Sequence, residues 1–205
     1  CKLFSQKFNS DTLLLINGNN FNIKITEINS EQITLKILSN SEVISIDTLF
    51  SGGFLGLDFL DFNKDGNEDI VLHYIGNNPI YDLYLFDTIN SNFKQIDGIA
   101  RFPNTKQINL DSKYYYSYHR SGCADMNWIS ELFYIENFKI ILIGQIYGQS
   151  CESEEKVISV FKITDNNEKN KRLIEKLGYI ENIPVFNYKC DFIEKYWNTN
   201  YHNFN

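Results

Sequence analysis

Apolar and polar residues alternate with a period of two through much of the chain. In 21–26, Phe21, Ile23 and Ile25 fall on one face, while Asn22, Lys24 and Thr26 fall on the other. The run at 33–38 is of the same kind, and 12–16 is a short, mostly apolar run. Asn17-Gly18-Asn19-Asn20 and Asn29-Ser30-Glu31 separate the three runs, and these residue types close hairpin turns. Further short runs rich in aliphatic and aromatic residues occur at 54–60, 70–74, 81–86, 93–96, 114–118, 128–135, 139–146 and 157–163. This spacing predicts an all-β chain, an antiparallel meander closed as a sandwich or a propeller-like arrangement. Two short C-terminal helices are expected, one over 167–177 closed by Gly178 and one over 191–197.

Composition agrees with sheet. Aromatics make up 15% of the 205 residues and there are only three prolines. The length suits one sizeable core, so residues 11–205 are expected to form a single β domain behind a short polar tether at 1–10. A net charge of −7 and a pI near 5.0, with lysines scattered rather than striped, exclude a nucleic-acid surface. No run of eighteen apolar residues occurs.

The chemistry concentrates first at Asp61-Phe62-Asn63-Lys64-Asp65-Gly66-Asn67-Glu68-Asp69. Oxygen donors at alternate positions around one glycine are the spacing of a calcium loop, lying here within 58–72. Asp61, Asn63, Asp65 and Asp69 would supply side-chain oxygens and Asn67 its carbonyl, with Gly66 permitting the sharp turn. Leu72 stands where an EF-hand has its bidentate glutamate, and the flanks read as strands rather than helices. The segment 54–87 therefore resembles the strand-flanked DxNxDGxxD loops of FG-GAP blades. An Asx-rich turn without metal is the other reading. Aligned carboxylates that would repel one another favour the Ca2+ site.

Four cysteines carry separate information. Cys1 at the start reads as the acylated residue of a mature lipoprotein, giving a membrane attachment by lipid alone. Cys123 and Cys151 lie symmetrically about residue 137, the turn of a predicted hairpin, so they are expected to form a disulfide, which implies an oxidising compartment. Cys190 is then buried and free, or paired with Cys1.

No HExxH, GxSxG or phosphate-binding glycine loop is present, and His73, His119 and His202 show no ligand spacing, so an enzyme is not expected. The polar segment 119–128 instead combines Arg120, Ser121 and Gly122 with Trp128 and a covalent clamp, the composition of a partner-binding surface. With its single DxNxDGxxD loop and the Tyr81-x-Leu83-Tyr84-x-Phe86 strand, the chain resembles small bacterial envelope lipoproteins that include periplasmic immunity proteins against lysozyme-like effectors of type IV secretion. These are similar to periplasmic inhibitors of invertebrate-type lysozyme, whose inhibitory loop carries Ser-Gly-x-x-Tyr. Ser121-Gly122 matches the start of that loop and Asp125 stands at the position of its Tyr. The resemblance implies occlusion of a hydrolase cleft, with Arg120 and Ser121 meeting the two catalytic carboxylates. The competing reading is a glycan- or protein-binding module of the envelope in which calcium only stiffens the scaffold.

Overall fold

The computed structural model describes residues 9–151, 156–179 and 187–204. Its sheets are antiparallel and run in chain order, as the alternation predicts. The first sheet is β1 (Asn9–Ile16), β2 (Asn19–Asn29), β3 (Gln32–Ser39) and β4 (Glu42–Phe50). The second is β5 (Phe54–Leu60), β6 (Asp69–Tyr74), β7 (Ile80–Asp87) and β8 (Asn92–Gln95). The third contains β9 (Lys106–Gln107), β10 (Tyr114–Tyr116), β11 (His119–Arg120), β12 (Trp128–Glu136), β13 (Lys139–Gln149), β14 (Val157–Ile163) and β15 (Lys171–Gly178). Its order is β15-β14-β13-β12-β10-β9, with β11 also paired to β12. One helix, α1 (Asn187–Asn200), and a terminal 3-10 turn follow.

Three hairpins close with two residues that both have positive φ: Asn17-Gly18, Asn40-Ser41 and Asn137-Phe138. That conformation matches the right-handed twist of the strands, and asparagine adopts it more readily than most residues. These turns fix the register that puts Phe21, Ile23 and Ile25 inward.

The chain divides into two compact units, residues 1–76 with 81–95, and residues 77–80 with 96–205. Where one core was expected, the buried hydrophobic residues form a cluster in each. In the first unit both four-stranded sheets contribute, and Phe21 of β2 meets Phe86 and Phe93 edge-on at 5.4 and 5.5 Å. In the second, Trp128, Leu132, Ile146, Ile158 and Val160 pack with Ile193 and Trp197 of α1 and with Phe204.

The structure corrects several expectations. The helix expected at 167–177 is absent: Lys171–Gly178 is a strand on the edge of the third sheet, pairing Ile158 with Leu177 and Phe161 with Leu173. The spacing of Leu173, Ile174 and Leu177 suits one helix face, but the outer backbone groups of β14 need hydrogen-bond partners and take this segment instead. Asn167 and Asn170 form the preceding turn, Asn170 N–H donating to the Asn167 carbonyl at 2.8 Å. The helix expected at 191–197 is present and longer, Asn187–Asn200. Glu42–Phe50, not singled out in the sequence, completes the first sheet. Cys1 and residues 2–8 of the expected tether lie outside the described residues, and Asn9 and Ser10 already belong to β1.

Candidate functional site

Two places hold the predicted chemistry, one in each unit. In the first unit the acidic loop joins β5 to β6, with Lys64 and Gly66 at φ 60° and 92°. The Asp65 N–H is shared by Asp61 Oδ1 at 2.9 Å and Asn63 Oδ1 at 3.0 Å, so these oxygens gather at one point. Asp61 Oδ2 accepts from the Gly66 N–H at 2.9 Å. Asp65 Oδ1 accepts from the Asn67 backbone and side chain at 2.9 and 2.8 Å, and its Oδ2 accepts from Asn63 Nδ2 at 2.9 Å. The mutual repulsion expected of the carboxylates is thus met in part by the loop's own N–H groups.

Asp69 is different. It is fully buried, its Oδ2 accepting from the Phe62 N–H at 2.9 Å and its Oδ1 from the Phe86 N–H at 2.8 Å. It ties the loop to β7, and burial pushes its carboxyl up to about 6 against those two bonds. Asn67 Oδ1 also accepts from Asn17 Nδ2 of the β1–β2 turn at 3.1 Å. The donor set is all oxygen and suits a hard cation, for which Asp61, Asn63, Asp65, Asn67 and Asp69 would be the ligands. Among the described residues no three Asp, Glu, His or Cys side chains form a group that could hold a metal ion, and both oxygens of Asp69 already accept backbone bonds.

In the second unit the segment between β11 and β12 forms a tight turn. Gly122, Cys123, Ala124 and Asp125 have consecutive positive φ values of 105°, 51°, 50° and 74°. For three of these the left-handed region is unfavourable and persists only where the surroundings over-determine it. The surroundings do so. Cys123 is bonded to Cys151, as expected, across a sequence separation of 28 with Cα atoms 6.2 Å apart. Neither cysteine lies within a strand: one is in the turn before β12 and the other follows β13. Asn127 Oδ1 accepts from the backbone N–H groups of Ser150 and Cys151 at 3.0 and 3.3 Å, and Asn127 O accepts from the Ser121 N–H at 2.8 Å.

Asp125 is held most firmly. Tyr118 Oη donates to its Oδ1 at 2.5 Å, and the buried Lys189 ammonium donates to its Oδ2 at 2.9 Å and to its backbone oxygen at 2.8 Å. The residue standing at the Tyr position of the resembling loop is therefore an internal anchor. Sequence reading missed Lys189 because 64 residues separate it from Asp125. The turn exposes Arg120, Gly122, Ala124 and Met126, and the first three line a concave patch of about 480 Å3 with Asn77, Asn78 and Asp125. Ser121 is half-buried beside them. Trp128 is not part of this surface: it is fully buried in the core, where Phe192 meets it edge-on at 6.3 Å. Cys190 is free and exposed rather than buried.

The second unit also holds a buried polar group. Ser117 Oγ donates to Glu131 Oε2 at 2.6 Å, and His119 Nδ1 stands 3.5 Å from the same oxygen. Burial pushes Glu131 up to about 7 and His119 below 6.5, each toward its uncharged form. For Glu131 the folded value lies above the unfolded value of 4.5, so the native state holds the proton more tightly. Its stabilising contribution is complete below pH 4.5 and is lost as pH rises through about 7. The expected size is on the order of 3 kcal/mol. Glu131→Gln should remove this slope, so urea melts should show the variant gaining on wild type from pH 4.5 to 7.5. A constant difference across that range would refute the assignment.

No protein-family model matches the chain, and no curated protein matches it. Among solved structures it is similar to a Xanthomonas type IV secretion system related protein, at 14% identity and a TM-score of 0.50, covering 85% of this chain and 96% of that one. At that identity the likeness shows the fold. Among the described residues no helix is long and apolar enough to cross a membrane.

Proposed function

We propose that the protein is a calcium-binding envelope lipoprotein that inhibits a lysozyme-like peptidoglycan hydrolase, an immunity protein acting through the clamped turn after β11. The observation that carries this reading is the turn itself: consecutive left-handed residues, fixed by a disulfide and a buried ion pair, present Arg120 beside Ser121 and Gly122. A surface held this rigidly loses little conformational entropy on binding. An exposed guanidinium next to a hydroxyl and an open glycine matches a cleft that carries two carboxylates, through charge-assisted hydrogen bonds. The solved structure of similar fold is described as type IV secretion system related, which accords with an envelope role.

The test is inhibition of a panel of muramidases by the purified protein. Arg120→Ala is expected to weaken binding by about 1–3 kcal/mol while leaving the melting temperature unchanged, because its side chain is half exposed and its Nε lies 3.9 Å from the Asp125 carboxylate. Should no muramidase be inhibited, the immunity reading fails and a calcium-stabilised glycan- or protein-binding module takes its place.

Calcium belongs to the same reading and is tested separately. A ligand that binds only the folded state raises its stability by mass action, by about 2.7 kcal/mol at a hundredfold excess over Kd. Calcium should raise the melting temperature of wild type and leave that of Asp65→Ala unmoved. An equal rise in both proteins would remove the site from this loop.

A further inference from the structure

Two cations of the second unit face one carboxylate oxygen. Asp125 Oδ2 receives the Lys189 ammonium at 2.9 Å, while Arg120 Nε stands 3.9 Å from that same oxygen. The other oxygen, Oδ1, is taken by Tyr118 Oη at 2.5 Å. Lys189 is buried at 6% exposure, its ammonium lies 5.4 Å over the Tyr118 ring and it also donates to the Asp125 carbonyl. Arg120 is about half exposed, and its guanidinium is the longer-reaching, better-matched partner for a carboxylate. Left alone with Asp125, it would close the remaining gap and form the stronger pair, because a buried carboxylate without a cation is costly.

From this geometry we infer that Lys189 is a positioning residue of the binding surface: by neutralising Asp125 from the inside, it keeps the Arg120 guanidinium free for the carboxylates of a partner. The inference rests on the reading of this turn as the binding surface, but the state of Arg120 does not depend on any partner. The cation that sets the turn's charge comes from the C-terminal helix, so the helix serves the site as well as the core.

The experiment has two arms. In the first, the partner-free protein is treated with phenylglyoxal, an arginine reagent, and Arg120 modification is followed by peptide mass mapping. Arg120 is expected to react readily in wild type and severalfold more slowly in Lys189→Met, where it collapses onto Asp125. Removing that carboxylate in Lys189→Met/Asp125→Asn should restore wild-type reactivity, which a role in folding alone would not do. If Lys189→Met does not fold, Lys189→Gln, which retains a donor but no charge, is read the same way. Equal reactivity of Arg120 in wild type and in the folded Lys189 variant overturns the inference.

The second arm measures binding to an inhibited muramidase. Arg120→Ala should cost roughly tenfold or more in the wild-type background and less than about twofold in the Lys189→Met background, with affinity regained in the Asp125→Asn double variant. An equal loss from Arg120→Ala in both backgrounds counts against the inference. If no muramidase binds, the functional reading fails and the modification arm alone decides the role of Lys189.

Discussion

Gly148→Ala should cost about 3–5 kcal/mol, above the range of about 1–3 kcal/mol usual for an overpacked core. A Cβ at Gly148 would stand 2.1 Å from Trp128 Cε2, 2.3 Å from its Nε1 and 2.5 Å from its Cζ2. The indole has nowhere to go, being fully buried in the cluster with Leu132, Ile146 and Ile158. Its backbone is fixed by pairing with Arg120 on one side and with Gly148 itself on the other. Gly144 offers the contrast on the same strand. There a Cβ would first meet Phe204 Cδ1 at 2.7 Å and then Trp197 Cη2 at 3.1 Å. These contacts are looser than the 2.1 Å approach at Gly148, so Gly144→Ala should lose no more than about 1–3 kcal/mol. Urea unfolding of both variants gives the comparison, and Trp128→Leu should rescue Gly148→Ala by making room. If Gly148→Ala were as mild as Gly144→Ala, the close approach of β13 to the Trp128 ring would be wrong.

This packing shows why part of the chain was readable and part was not. Period-two alternation marked β2 and β3 because their two faces meet different surroundings, and the Asn-containing turns marked where they stop. β15 was misread because nearly all its residues are exposed, so no buried face imposes a period, and its structure comes from the edge it completes. The β12–β13 hairpin fixed the disulfide correctly, since its ladder centres within a residue of 137. A one-residue bulge after Leu132 and the placement of both cysteines beyond the strands were not visible. Trp128 was assigned to the surface because Trp and Arg together suggest an anchor, yet Trp128 is fully buried while Arg120, its register partner at the end of β11, is exposed. Long-range electrostatics were out of reach altogether. Nothing near Asp125 in the sequence points to Lys189, and nothing near Glu131 says that burial governs its titration.

The double replacement Cys123→Ser/Cys151→Ser is expected to cost roughly 3–4 kcal/mol, the loop-closure entropy returned to the unfolded chain when a tie across 28 residues is removed. Both cysteines are replaced together so that neither is left to pair with the exposed thiol of Cys190. The folded variant should nonetheless keep its turn. Asp125 stays fastened to Tyr118 and Lys189, and Asn127 still binds the backbone at Ser150 and Cys151, so the left-handed run has non-covalent support at both ends. Stability and surface should therefore separate: chemical denaturation shows the loss, while Arg120 reacts with phenylglyoxal at the wild-type rate at temperatures where the fold survives. Combining the serine pair with Lys189→Met should leave the turn only the Tyr118 and Asn127 hydrogen bonds and lower its protection from hydrogen exchange. A serine variant that loses less than about 1 kcal/mol would mean that the unfolded chain is already restricted across this loop, which would refute the chain-entropy account.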